Sequence, residues 1–169
     1  MALFTWNSSY SVGVATIDQQ HQQLMTLINE LNEAMLQGKG RQMVGDILGK
    51  LIRYTGTHFA DEEKLLMDHD YPEYAEHKAK HTKMVGKVKP LQQDVDAGKM
   101  TVSADVMKFL QDWLDKHIKG TDMKYGPFLN AKGIHSALDP EREQKKRRCP
   151  RHLLFFCAMA LPRLRYGEN

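Results

Sequence analysis

Cysteine is absent from most of this 169-residue chain; its two cysteines, Cys149 and Cys157, stand close to the end. That excludes a disulfide framework and any thiolate metal site from the body of the protein. A metal held there must be held by histidine and carboxylate. Long hydrophobic runs are also missing, and none approaches the roughly 20 apolar residues that cross a bilayer. The opening "MALFTWNSSY" has neither the basic nor the apolar region of a secretory signal. A cytoplasmic protein with no membrane span is expected. There is no basic stripe either. The net charge of +3 comes from residues 133–169, which hold 8 Lys+Arg against 4 Asp+Glu, whereas residues 1–132 hold 16 against 17. No nucleic-acid partner is expected for so neutral a body. Strand-like alternation of useful length is absent as well, which points to an all-α chain.

Helical periodicity fills residues 18–120. "DQQHQQLMTLINELNEAMLQGKG" sets His21, Leu24, Ile28, Leu31 and Met35 on one face, with Asp18 as the expected N-cap and Gly38 and Gly40 as stops. A second stripe from about Arg41 to Met67 carries Val44, Leu48, Leu51, His58, Glu62 and Leu65. The turn "DHDYPEY" follows, with Pro72 suited to the first turn of the next helix. The third segment runs to about Ala97 and aligns Tyr74, His77, His81, Met84, Val85, Val88, Leu91 and Val95; Pro90 argues for a kink. The fourth, from about Ser103, aligns Val106, Leu110, Trp113, Leu114 and His117. Four amphipathic helices with short connections predict an antiparallel up-down-up-down four-helix bundle. The stretch "LFTWNSSYSVGV" would be an extended N-terminal arm, with Phe4 and Trp6 packed on the bundle. Residues 1–132 form the expected domain. Residues 133–169, a basic cluster followed by a short apolar stretch, are expected to be an irregular extension, the alternative being a segment that touches a membrane surface or docks a partner.

Eight histidines are present, and five of them, His21, His58, His77, His81 and His117, lie on the inward stripes. One such histidine is usually a hydrogen-bonded core residue. Five spread over four helices need something common to satisfy them, and metal does so. Glu62 stands one turn after His58. Asp122 stands five residues after His117, where Gly120 would let the backbone turn its carboxylate inward. Glu63, rotated about 100° from Glu62, reads as part of the solvated face. His69, His135 and His152 fall in turns or beyond the body and are read as non-ligands.

Seven donors exceed the coordination number of an ordinary single ion. Two ions sharing both carboxylates accommodate them, with the histidines divided three and two and one position left open for a small ligand. Nitrogen and oxygen donors without thiolate favour iron or manganese, with zinc still open.

The ordered motifs "DQQH", "HFADEE", "YPEYAEHKAKH" and "HIKGTD" resemble the haemerythrin family in its single-domain bacterial form, over about residues 2–132. The resemblance implies two iron ions per chain with a bridging oxo or hydroxo group. It implies that His77, His81 and His117 hold a filled iron, that His21 and His58 hold an open one, and that Glu62 and Asp122 bridge them. Reversible O2 binding is the implied function: carriage, storage or delivery, with an O2-consuming enzyme as recipient. Phe59, Trp113, Leu114 and Ile118 resemble the family's apolar O2 pocket. The rival readings are a di-iron redox enzyme handling O2, peroxide or nitric oxide, and an iron-storage or sensing module. The histidine-rich core speaks against the enzyme, because ferritin-like di-iron enzymes use carboxylate-rich ligand sets.

Overall fold

The computed structural model describes residues 2–98 and 102–135. Four long helices dominate: α1 (Ala15–Leu36), α2 (Arg41–Asp68), α3 (Tyr74–Asp96) and α4 (Ala104–His117). They form the expected antiparallel four-helix bundle, with α1 packed on α2 and α4, and α2 packed on α3. Among the described residues there is no strand. A turn of π-helix (Ile118–Asp122) joins α4 to a further helix, α5 (Met123–Ala131), which the sequence periodicity does not reveal.

Helix ends follow local chemistry. Beyond α1, Gly38 adopts φ +63, and the amides of Gly38 and Lys39 bond back to the carbonyls of Met35 and Ala34. That pair of bonds closes a left-handed cap which glycine adopts without a Cβ penalty. The side chain of Ser103 caps α4 by accepting from the amide of Val106 at 3.3 Å. Asp18 differs from expectation. The helix starts three residues earlier, and the buried Asp18 carboxylate accepts from the Val12 amide (2.8 Å) and the Ser11 hydroxyl (2.6 Å). It therefore fastens the arm to the first turn of α1 rather than capping the helix. Pro72 lies in the turn before α3 rather than in its first helical turn, and α3 runs unbroken through Pro90.

The arm packs as expected, with a short 3₁₀ turn at Ser8–Tyr10. Asn29 accepts from the amides of Leu3 and Phe4 and donates to the Phe4 carbonyl, all at 2.8–2.9 Å. Phe4 is buried, and half-buried Trp6 stacks on Tyr10, whose hydroxyl donates to Asp115. Val85 departs from the expected stripe: it is 45% exposed, while Met84 and Val88 carry the inward face.

Two apolar clusters sandwich a polar layer. The larger contains Leu24, Leu51, Met84 and Leu114; the smaller contains Ile17, Leu66, Tyr71 and Tyr125. Along α1, α2 and α3 the inward histidines and Glu62 lie between residues of these two sets, while His117 and Asp122 lie between Leu114 of the larger and Tyr125 of the smaller. The smaller cluster depends on close backbone approach at α5. A Cβ on Gly126 would meet the carbonyl oxygen of Val12 at 2.5 Å, whereas a Cβ on Gly86 meets nothing within 4 Å. Gly126→Ala is therefore expected to lower stability by about 1–3 kcal/mol. Gly86→Ala, in the interior of α3, should raise it by about 0.4–1 kcal/mol. Urea midpoints of the two variants check both.

Candidate metal centre

All seven predicted donors meet in the polar layer, and none is more than 5% exposed. On α2, i,i+4 spacing stacks His58 and Glu62; on α3 it stacks His77 and His81. His117 and Asp122 are five residues apart, a spacing an ordinary helix would splay by about 140°. The π turn brings them to one face instead. Gly120 has no left-handed backbone there, so the widened turn, and not glycine's freedom, aims Asp122 inward.

Each of the five histidines turns Nε2 towards a carboxylate. Glu62 Oε2 lies 3.2 Å from His77 Nε2, 3.2 Å from His81 Nε2 and 3.8 Å from His58 Nε2. Asp122 Oδ1 lies 3.1 Å from His117 Nε2 and 3.8 Å from His77 Nε2, and its Oδ2 lies 3.4 Å from His21 Nε2. The donors fall into two groups that share Glu62. One holds His77, His81 and His117, the other His21 and His58, with donor atoms inside each group within 4.8 Å of one another. Asp122 spans the two, with one oxygen towards each.

Burial sets the charge of these groups. It lowers His58 to about 3, His117 to about 2, and His21 below its ordinary value, so all three are neutral at neutral pH and free to donate a lone pair. Burial also drives Asp122 well above the usual carboxylate range, with the charge of Glu62 adding to the effect. Burial would raise Glu62 too, but the imidazoles of His77, His81 and His58 around it prevail and hold it well below. Both oxygens of Asp122 and the inward Nε2 of His21 are buried without a hydrogen-bond partner. Such orphaned atoms are costly unless a cation satisfies them. A nitrogen-and-oxygen set with no thiolate suits iron.

Two contacts lie outside the sequence reading. Tyr125, fully buried on α5, donates its hydroxyl to Glu62 Oε1. The only signal in the sequence is its position one helical turn after Asp122. Glu63 is not solvated: its side chain is 19% exposed and lies against His81. Of the pocket residues, Trp113 and Leu114 line an apolar cavity of about 330 Å³ together with Leu24, Ile28, Leu51, Met84 and Leu110. Phe59 instead stacks on the His81 ring (3.7 Å, 7°), and Trp113 stacks on His117 (4.3 Å, 15°). Ile118 is fully buried in the larger cluster. His69 and His135 stand apart from the centre, held by the Leu65 carbonyl and by Asn130; His152 lies outside the described residues. So does the predicted extension from residue 136 onward.

A four-helix bundle with five histidines and two carboxylates converging in its core is, as a class, a histidine-rich metal-binding bundle. Comparison with known proteins narrows that class. Residues 12–129 match the "Hemerythrin HHE cation binding domain". The chain is 37% identical over 132 residues to the "Bacteriohemerythrin" of Methylococcus capsulatus (strain Bath), covering 78% of this chain and all of that one. It is 34% identical over 122 residues to a "Hemerythrin-like protein" of Naegleria gruberi, covering 72% and 90%. A crystal structure of wild-type hemerythrin superposes with a TM-score of 0.71 at 36% identity, covering 75% of this chain and 97% of that one. The chain belongs to the haemerythrin family.

Proposed function

We propose that this chain binds O2 reversibly at a di-iron centre. In this reading His77, His81 and His117 hold one iron, His21 and His58 hold the other, and Glu62 and Asp122 bridge them. The observation that supports it best is the three-and-two division of the histidines around a shared Glu62, with Asp122 turning one oxygen to each group. When bound, the irons supply the electrons that hold O2. The chain itself supplies neutral donors, two balancing carboxylates and a dry approach. Leucine, isoleucine, methionine and tryptophan dominate the lining of the cavity, with Thr55 and Lys89 among its few polar members. Protons and water reach such a space slowly, which favours release of O2 over its reduction. We therefore place carriage, storage or delivery of O2 ahead of turnover, with an O2-consuming enzyme as recipient. No helix among the described residues is long and apolar enough to cross a membrane.

Two irons per chain after anaerobic reconstitution, and uptake of one O2 per iron pair, test the assignment. Leu114→Ala should retain both irons, because Leu114 lines the cavity and donates to neither group. Its oxygenated form should decay to the oxidised form several-fold faster, as followed by absorbance in air. Unchanged decay would remove the dry wall from the explanation.

A further inference from the structure

We propose that Glu63 and Gln20 are positioning residues that fix which ring nitrogen of His81 and of His58 faces the metal centre, an anion standing behind the first histidine and a neutral amide behind the second. Glu63 Oε1 lies 3.1 Å from His81 Nδ1, while Oε2 lies 3.3 Å from Lys78 Nζ. An ionised carboxylate only accepts hydrogen bonds, so His81 Nδ1 carries the proton. The lone pair on Nε2 then points at Glu62 Oε2 and His117 Nε2.

Gln20 reaches the same result by a different route. Its Nε2 donates to Asp61 Oδ2 at 2.7 Å, which leaves Oε1 facing His58 Nδ1 at 2.9 Å. An amide oxygen also only accepts, so His58 too is protonated on Nδ1 and presents Nε2 inward. Lys78 and Asp61, both on the exposed surface, are the outer ends of these two relays.

The relays differ in charge. A carboxylate behind a ligating histidine makes the ring a stronger donor, which a neutral amide does not do to the same degree. The iron held by His81 is therefore bound more tightly than the one held by His58. This inequality rests on the two-iron reading; the tautomers do not.

Two measurements separate them. In the metal-free chain, ¹⁵N NMR of the histidine rings should find His81 and His58 protonated on Nδ1. Glu63→Ala should release His81 into a mixture of tautomers, and Gln20→Ala should release His58. In the iron-loaded chain, anaerobic transfer of Fe(II) to ferrozine should proceed in two phases. Glu63→Gln should speed the slower phase about 10-fold and leave the faster one unchanged. His81 protonated on Nε2 in the parent chain, or a tautomer unmoved by Glu63→Ala, overturns the positioning role. A slow phase indifferent to Glu63→Gln overturns the inequality. A chain with locked tautomers that holds only one iron refutes the two-iron reading and leaves the positioning roles intact.

Discussion

Glu62→Gln empties the centre while leaving the bundle folded. Glu62 is common to both donor groups and fully buried, and its Oε2 is the oxygen nearest His77 and His81. The amide keeps the size of the side chain and can still accept from the Tyr125 hydroxyl. It removes one of the two buried negative charges that balance a pair of cations. An uncompensated charge in a dry core costs several kcal/mol, enough to lower iron affinity by more than a thousandfold. The expected iron content falls from two per chain to below one, with the far-ultraviolet circular dichroism of the parent. Glu62→Ala goes further, because it also orphans Tyr125 and opens a cavity; the metal-free fold should lose roughly 2–5 kcal/mol. Two irons retained by Glu62→Gln would show that Glu62 is not shared.

The second large effect is acid lability of the metal-free chain. His58 and His117 sit at about 3 and about 2 when folded, because burial disfavours their charged forms. Unfolded, each returns to about 6.5. Between those limits the unfolded chain binds more protons than the folded one, so stability declines as the pH falls. The decline starts near pH 6.5 and costs about 1.4 kcal/mol per histidine for each further unit. At pH 4.5 the two together have removed roughly 5 kcal/mol, a large part of an ordinary domain's stability. His21, lowered on folding, pushes the same way, and Glu62 joins it only below about pH 4.5. Asp122, raised by burial, works in the opposite direction, one group against three histidines. In the loaded chain the histidine nitrogens are occupied, so acid must first expel metal. Urea midpoints measured between pH 7.5 and 4.5 should fall steeply for the chelator-treated chain and little for the iron-loaded one. Equal midpoints at pH 7.5 and 5 without metal would contradict the buried neutral histidines.

Much of this was legible in the sequence because the helices are long and regular. Over α1 to α4 a 3.6-residue repeat places His21, His58, Glu62, His77, His81 and His117 inward whatever the details of packing. Where the backbone leaves that repeat, pattern reading stops. The π turn at Ile118–Asp122 consists of backbone bonds that no residue type announces, and Gly120 only suggested that something turned. Asp18 looked like a helix cap because caps and arm anchors use the same side chain; the arm's amides decided between them. Glu63 departs from its helical pattern for a different reason. Its angle on α2 is that of a surface residue, but α3 packs over that edge and brings His81 and Lys78 to it. Val85 shows the reverse case, an apolar residue on the margin of its stripe that stays 45% exposed. Contacts between helices, unlike periodicity within one, are not written in local spacing.

The most direct measurement is the absorption spectrum of the iron-reconstituted chain through repeated cycles of anaerobic reduction, exposure to air and deoxygenation. Reversible binding predicts a visible charge-transfer band that rises in air, disappears on removal of O2 without added reductant, and returns in full on the next exposure. A single irreversible oxidation, with no band restored by the second exposure, would contradict it.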